Sequence, residues 1–227
     1  MLVRIEKVLS AAEVSRCREA LSAAGWADGR ITAGEQSALA KCNLQLPPGD
    51  PRARELGELI LAALGRSPAF MSAALPLRVF PPLFNRYEVG MRFGAHVDNA
   101  IRHGEGGGPG LRTDLSATLF LTDPDAYAGG ELVVEDVFGE QAVKLPAGDL
   151  VLYPASSLHR VNPVLRGERS ASFFWVQSMV RDDGRRALLF NLDNAIGEAR
   201  AGLGDESSAA LKLTAAYHNL VRMWAEV

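Results

Sequence analysis

The chain has 227 residues, of which 48% are hydrophobic and 22% are charged, and this is the composition of an ordinary globular domain. A formal net charge of −3 excludes the broad basic surface of a protein that binds nucleic acid or an anionic membrane. The chain has no apolar run of about 18 residues, and the N-terminal MLVRIEKVLSAAEV has charges within its apolar run, so we expect a cytoplasmic protein without a signal peptide.

The N-terminal region, residues 10–66, is predicted to be mostly helical. Ser10 can cap a first helix over AAEVSRCREALSAAG, because Glu13 stands at the capping-box position. A second short helix is expected over residues 31–41. Apolar residues at helical spacing predict a third over RARELGELILAALG, which ends in a glycine.

Two cysteines, Cys17 and Cys42, lie far apart in this region. A disulfide framework or a cysteine metal site is not indicated, and we expect both thiols to be reduced and buried. Residues 1–77 are therefore predicted to form a helical lead-in packed on the core.

The middle of the chain, residues 76–180, is predicted to be β-rich. Its short runs, most of them separated by Gly, Pro, Asp or Asn, are LRVFPPLFNRYEV, MRFGAHVD, TDLSATLFLT, GELVVE, EQAVKL, GDLVLYP, LHRVNPV and ERSASFFWVQS. About eight such strands favour a β-sandwich or barrel over βαβ units. The glycine-rich HGEGGGPG, residues 103–110, is predicted to be a mobile loop. Two amphipathic helices are expected after residue 180.

A candidate metal site begins with His96 and Asp98 in RFGAHVDNAI. Residues two apart on a strand point to the same face, so an imidazole and a carboxylate can stand side by side. The pair alone is equally compatible with a hydrogen-bonded structural role. His159, in the β-rich run LHRVNPV, adds a second imidazole. Two histidines and one carboxylate are the ligands of the facial triad of non-heme Fe(II) oxygenases.

A candidate anion-binding residue, Arg169, follows His159 by ten positions, just before a mostly apolar stretch. An arginine that enters such a strand needs an anionic partner, and a carboxylate suits its planar fork. An ordinary salt bridge to Glu168 or Glu131 is the alternative.

These motifs together resemble those of the Fe(II)/2-oxoglutarate-dependent dioxygenases, and more closely the bacterial PKHD-type hydroxylases, relatives of prolyl 4-hydroxylase. The matching stretches are FNRYEVGMRFGAHVDNA, LSATLFLTDPDAYAGGELVV, LPAGDLVLYPASSLHRVNPV and RGERSASFFWVQS. The helical N-terminal and C-terminal parts are also similar to this subfamily, so the resemblance covers nearly the whole chain. It implies a double-stranded β-helix (jelly-roll) core with flanking helices.

The resemblance also implies roles for individual residues. His96, Asp98 and His159 would bind Fe(II), and Arg169 would pair with the distal carboxylate of 2-oxoglutarate. Tyr87 matches a tyrosine that contacts 2-oxoglutarate in the prolyl hydroxylase relatives. Trp175 could wall the pocket, because it shares a strand face with Arg169 by parity.

One departure from the family pattern concerns the second residue after the arginine. Many relatives have a serine there, whereas this chain has Ala171, so a second contact to the co-substrate is missing or comes from elsewhere. The other two histidines, His103 in the glycine-rich loop and His218 in the last helix, are expected to lie outside the metal site.

The function implied by the resemblance is hydroxylation of an unidentified substrate, for which the kinship with prolyl hydroxylases suggests a peptide or an amino acid. It would be coupled to decarboxylation of 2-oxoglutarate to succinate and CO2, with Fe(II), O2 and ascorbate as reductant. The predicted domains are residues 1–77, a jelly roll over 78–178 and helices over 179–227, which could cover the barrel or mediate a homodimer.

Alternatives are another cupin-like metalloenzyme, a non-catalytic module that senses iron or 2-oxoglutarate, and a structural jelly roll with coincidental histidines. Arg169 argues against the first, because an enzyme without 2-oxoglutarate has no need of that anion clamp.

Overall fold

Most of the described α-helices begin where a side chain accepts a hydrogen bond from the backbone of the first turn. The computed structural model describes residues 1–32, 35–47, 49–104 and 109–227. Ser10 caps the first helix and forms the expected capping box with Glu13. The α-helices are α1 (Ala11–Ser22), α2 (Glu35–Ala40), α3 (Pro51–Gly65), α4 (Pro68–Ala74), α5 (Asp183–Leu203) and α6 (Ser208–Trp224). None of these described helices is both long and apolar enough to cross a membrane.

The strands are short, and several lie outside the predicted β-rich region. They are β1 (Val3–Ile5), β2 (Ala27–Asp28), β3 (Lys41–Cys42), β4 (Leu44–Gln45), β5 (Pro76–Val79), β6 (Leu83–Tyr87), β7 (Arg92–His96), β8 (Ile101–Arg102), β9 (Leu111–Arg112), β10 (Leu115–Phe120), β11 (Ala128–Gly129), β12 (Leu132–Asp136), β13 (Gly139–Val143), β14 (Leu150–Pro154), β15 (His159–Val161), β16 (Val164–Arg166) and β17 (Arg169–Ser178).

Two antiparallel sheets form the β core, as expected for a jelly roll. In the described part of the chain the larger sheet has the order β1-β14-β10-β17-β6-β4-β2, with β5 beside β17. The smaller sheet has the order β13-β12-β15-β7-β3. Strands β8 and β9 pair with each other and flank residues 105–108, which lie outside the described residues, so the mobility predicted for 103–110 stays a prediction.

The sheets divide the hydrophobic core in two. Side chains from both sheets, including Phe120, Leu132 and Val161, pack between them. The other face of the larger sheet packs against α1, α3 and α4 through side chains such as Ile60 and Phe174. Because side chains alternate along a strand, β17 sends even-numbered residues to the helices and odd-numbered residues to the space between the sheets.

The N-terminal region differs from its mostly helical prediction. Strands β1 to β4 join the sheets, and β3 pairs with β7, the strand that carries His96. Strands of two residues are too short to show a period of two, so no pattern could reveal them. Cys17 is buried as expected, but Cys42 lies in β3 and is exposed, which corrects the prediction that both thiols are buried.

The C-terminal helices α5 and α6 pack against each other and on the end of β17. Leu75, Val180 and Leu189 are buried between them and the sheet, with Tyr217 and Trp224 packed alongside. The prediction of two terminal helices is thus confirmed, while dimerisation through them stays a prediction.

Candidate metal centre and active-site cavity

The three predicted ligands meet at one end of the smaller sheet. His96 ends β7 and His159 begins β15, and the two residues are paired directly across these antiparallel strands. Their ring centroids are 4.2 Å apart, and His159 Nε2 lies 3.7 Å from Asp98 Oδ2. One ligand atom from each residue lies within 4.8 Å of the others, a spacing that fits a single metal ion.

Backbone carbonyls orient both imidazoles in the same way. His96 Nδ1 donates a hydrogen bond to the carbonyl of Gly94 at 2.8 Å, and His159 Nδ1 donates to that of Ser157 at 3.0 Å. We therefore assign the proton to Nδ1 in both rings, which leaves the Nε2 lone pairs for a metal.

The surroundings favour the protonation state that binds metal. Burial, followed by the nearby His159, lowers the pKa of His96 to about 4. The imidazole of His96 is therefore neutral at physiological pH, and neutral imidazole is the form that coordinates metal ions.

Ser116 is a site residue that the sequence analysis did not identify. It is buried in β10 of the larger sheet, and its Oγ donates to Asp98 Oδ2 at 2.6 Å. This bond fixes the carboxylate that would share the metal with the two histidines. The sequence carried no local signal for it: in LSATLF the polar Ser116 and Thr118 alternate with apolar residues, a pattern that usually puts the polar side chains toward solvent, whereas here they line the cavity.

Arg169 lies in the same cavity, deeply buried. Arg169 as a whole is 1% exposed. Within the described residues, its Nε and Nη1 donors have no hydrogen-bond partner. Its guanidinium carbon is 5.3 Å from the ring centroids of both Tyr87 and Phe120. A buried guanidinium with unused donors requires an anionic partner, because leaving such groups unpaired is costly.

The salt-bridge alternative for Arg169 is not supported. Glu168 accepts a hydrogen bond from Ser170 Oγ at 3.0 Å, and Glu131 accepts one from Asn162 Nδ2 at 3.1 Å. In the part of the chain that the structure describes, no carboxylate forms an ion pair with Arg169.

A cavity of about 750 Å³, measured out to its open mouth, connects these groups. Tyr87 and Trp175 both line it, and Tyr87 is the register partner of Arg169 in the larger sheet. Burial raises the pKa of the Tyr87 hydroxyl, so this group stays protonated and can donate a hydrogen bond.

Two further cations line the cavity, Lys41 and Arg102, and the sequence analysis identified neither. The short helix predicted over residues 31–41 ends at Ala40, and Lys41 lies in β3. His103 and His218, which were expected to lie outside the metal site, are both exposed. Neither belongs to the cluster of potential ligands found within the described residues.

Comparison with known proteins identifies matching families and relatives. Residues 82–177 match the family model of the 2OG-Fe(II) oxygenase superfamily, and residues 183–226 match that of the PKHD-type hydroxylase C-terminal domain. A PKHD-type hydroxylase of Methylobacterium nodulans is 63% identical over 227 residues, which cover 100% of both chains. One of Gluconobacter oxydans is 62% identical over 227 residues, again covering 100% of both chains.

Solved structures share the fold at low sequence identity. The carbocyclase SnoK from nogalamycin biosynthesis, a non-heme α-ketoglutarate-dependent enzyme, has a TM-score of 0.55 and 20% identity, covering 79% of this chain and 80% of its own. A Pseudomonas putida prolyl-4-hydroxylase has a TM-score of 0.50 and 20% identity, covering 78% of this chain and 92% of its own. HygX from Streptomyces hygroscopicus, with nickel, 2-oxoglutarate and hygromycin B bound, has a TM-score of 0.52 and 15% identity, covering 76% and 81%.

Proposed function

The chain belongs to the PKHD-type hydroxylase family, and we propose that His96, Asp98 and His159 hold the iron on which its activity depends. The protein is an Fe(II)- and 2-oxoglutarate-dependent dioxygenase that hydroxylates a substrate. One oxygen atom of O2 enters the substrate as a hydroxyl group and the other enters succinate, while 2-oxoglutarate loses CO2.

The observation that carries the iron assignment is the convergence of these three side chains on one point. Two imidazoles and one carboxylate offer ligand atoms within 4.8 Å of one another. This donor set suits ferrous iron and leaves coordination positions for other ligands. When bound, ferrous iron supplies the activation of dioxygen.

The co-substrate is assigned to the part of the cavity that contains Arg169. Its unused donors support pairing with the distal carboxylate of 2-oxoglutarate, and the protonated hydroxyl of Tyr87 supports a second contact. Trp175 would wall the cavity farther along β17. The serine that many relatives use is Ala171 here, so Tyr87 would contribute what that serine does not.

The remaining task of the protein is to hold the reactants and limit water around them. Ser116 fixes the carboxylate of Asp98, and the backbone carbonyls fix the two imidazoles. Aromatic and aliphatic side chains form much of the cavity wall, so the charged co-substrate would be bound by fixed protein groups in place of mobile water.

A ligand titration tests the iron and 2-oxoglutarate assignments together. Anaerobic addition of Fe(II) and then 2-oxoglutarate should give the visible metal-to-ligand charge-transfer band of the chelated complex. His96→Ala and His159→Ala should abolish it. Arg169→Met should weaken 2-oxoglutarate binding about 100-fold, because about two charge-assisted hydrogen bonds are lost.

Matched substitutions control for general effects of mutation. His103→Ala and Arg166→Met alter the same residue types at exposed positions and should leave the titration unchanged. No band with the native protein, or an undiminished band in His96→Ala, would reject the assignment. Formation of succinate and CO2 distinguishes an enzyme from a module that only senses iron or 2-oxoglutarate.

The finer parts of the proposal concern substrate, reductant and location. Fold similarity to a prolyl-4-hydroxylase is consistent with a peptidyl or amino-acid substrate, and ascorbate would rescue enzyme oxidised in unproductive turnover. The unpaired thiols Cys17 and Cys42 fit the reducing conditions of the cytoplasm. Residues 78–178 would be the catalytic unit, with residues 1–77 and 179–227 packed on it.

A further inference from the structure

A buried amide side chain, Asn85 on β6, lines the cavity but has no part in the proposed binding of iron and 2-oxoglutarate. The residue is 8% exposed. In the part of the chain that the structure describes, its Oδ1 has no hydrogen-bond partner. Buried side-chain amides are usually hydrogen-bonded, so an unpaired one in a cavity wall indicates a place where a ligand binds.

Strand register places Asn85 beside the proposed anion site. Asn85 is the register partner of Ala171 on β17, and Tyr87 is the register partner of Arg169. Opposed residues of an antiparallel pair lie on the same face of the sheet, so all four side chains project into the space between the sheets. Arg169 and Asn85 are diagonal neighbours, at about 7 Å, a separation that long side chains can bridge.

The guanidinium of Arg169 lies over the same part of the sheet. Its carbon is 5.3 Å from the ring centroids of both Tyr87 on β6 and Phe120 on β10, the strands on either side of β17. Phe120 is the other register partner of Ala171. The guanidinium is therefore held over β17, toward Ala171, whose side chain is a single methyl group. An anion that pairs with it there has the amide of Asn85 at its side.

A carboxylate has more acceptor sites than Arg169 and Tyr87 together fill. Its two oxygen atoms offer about four lone-pair sites. The unpartnered Nε and Nη1 of Arg169 account for two of them, and the hydroxyl of Tyr87 accounts for a third. Ala171 has no donor for the fourth. Asn85 can supply it through Nδ2, because the terminal torsion of asparagine is broad and roughly two-fold and lets either polar atom face the ligand.

We propose that Asn85 donates a hydrogen bond from Nδ2 to the distal carboxylate of 2-oxoglutarate and so helps the enzyme to select a 2-oxo acid with a second carboxylate. This inference rests on the proposed function, which places that carboxylate at Arg169. The small side chain of Ala171 leaves the amide and the carboxylate room to meet.

A matched pair of 2-oxo acids tests this contact. 2-Oxopentanoate has the chain length of 2-oxoglutarate and the same 2-oxo acid end, but a methyl group replaces the distal carboxylate. Each acid is titrated anaerobically into the full-length protein with Fe(II), and the charge-transfer band gives its dissociation constant. Asn85→Ala should weaken 2-oxoglutarate binding at least about tenfold, because a hydrogen bond to a charged group is lost, and leave 2-oxopentanoate binding unchanged.

Two further variants identify the lost group. Asn85→Asp keeps the shape of the side chain but replaces the amide donor with a second carboxylate, so it should weaken 2-oxoglutarate binding by more than Asn85→Ala does. Asn194→Ala removes an exposed asparagine on α5 and should bind both acids as the native protein does.

A second substitution moves the donor to the neighbouring strand. In the double variant Asn85→Ala, Ala171→Ser, a hydroxyl stands at the register partner of the lost amide, two residues from Arg169 on the same face. We expect this serine to restore most of the affinity for 2-oxoglutarate. A residue that only stabilises the fold would not be replaced in this way, because the new hydroxyl lies on a different strand.

Three results would overturn the proposal. One is an unchanged affinity for 2-oxoglutarate in Asn85→Ala. Another is an equal loss for both acids, which would place the role of Asn85 away from the distal carboxylate. The third is a double variant that binds 2-oxoglutarate no better than Asn85→Ala.

Calorimetry on the metal-free protein separates this inference from the proposed function. If the iron assignment fails, neither acid produces the band, but the binding of 2-oxoglutarate measured by its heat should still weaken in Asn85→Ala. If only the present inference fails, the native protein produces the band and Asn85→Ala binds 2-oxoglutarate equally well. The absence of saturable 2-oxoglutarate binding in both forms of the native protein would reject the two together.

Discussion

At the scale of single residues, the candidate site depends on hydrogen bonds that hold its ligands in one orientation. Asp98 follows β7 and has no strand partner of its own, so the bond from Ser116 on the opposite sheet restrains its carboxylate. Groups that hydrogen-bond to metal ligands typically contribute tenfold to 100-fold, as an order of magnitude, to metal affinity.

The first residue-scale prediction concerns Ser116→Ala. We expect metal affinity to fall about 10- to 100-fold, because the carboxylate of Asp98 loses its orienting donor while the three ligands remain. Competition with a chelator for Zn(II) measures the change. Ser172→Ala is the control, since Ser172 is also buried in the larger sheet but donates to the carbonyl of Leu83. Equal Zn(II) affinities of Ser116→Ala and the native protein would show that Ser116 does not orient Asp98 for metal binding.

At the scale of elements, the turn before β12 holds the backbone close to a neighbouring loop. Gly129 has φ +70°, and a Cβ atom there would lie 2.1 Å from the carbonyl oxygen of Pro163. The adjacent Gly130, φ +66°, packs beside Tyr127 and the side chain of Arg169. Gly129 therefore allows the close approach to Pro163, and Gly130 places the β11–β12 turn against the side chain of Arg169.

The element-scale prediction compares two glycines that both have positive φ. Gly129→Ala should lower the free energy of unfolding by about 3 kcal/mol or more, because the new methyl group collides with a backbone carbonyl. Gly139, φ +106°, has no atom within 4 Å of an added Cβ, so Gly139→Ala should cost only about 1–2 kcal/mol of backbone strain. Urea unfolding measures the free energy of unfolding of both variants. Equal losses would contradict the close approach of Gly129 to the carbonyl of Pro163.

At the scale of the whole molecule, the C-terminal helices are attached to the jelly roll partly through a buried arginine. Arg186 on α5 is 2% exposed, and its Nη1 donates to the carbonyls of Val180 at 2.6 Å and Arg181 at 2.8 Å. The backbone N–H of Glu226 also donates to the carbonyl of Met179, which ties the end of the chain to the end of β17.

The prediction at this scale is that Arg186→Met weakens this attachment. We expect the free energy of unfolding to fall by about 2–4 kcal/mol, because the carbonyl of the buried Val180 and the carbonyl of Arg181 both lose a charged donor. Arg200→Met removes an exposed arginine of the same helix that pairs with Asp205 beyond the helix end, and it should change the free energy of unfolding by less than about 1 kcal/mol. Denaturant unfolding and limited proteolysis after β17 report on both variants. Equal stability of the two would show that Arg186 does not hold the helices.

Local patterns in the sequence determined most of the regular structure and the donor set of the candidate metal site. The capping box at Ser10, the amphipathic C-terminal helices and the β-rich middle region all rest on interactions between residues close in the chain. The histidines and carboxylate were recognisable because their residue types are chemically specific. The resemblance to a known family supplied the role expected of Arg169.

Only the tertiary structure decided how distant segments complete the cavity. Lys41 faces it because a two-residue strand pairs with β7, and Ser116 reaches Asp98 because the two sheets face each other. Such contacts depend on strand register and on the packing of sheets, which involve residues far apart in sequence and leave no local periodicity. The exposure of Cys42 has the same origin, since the side of a short strand that faces solvent is set by its neighbours.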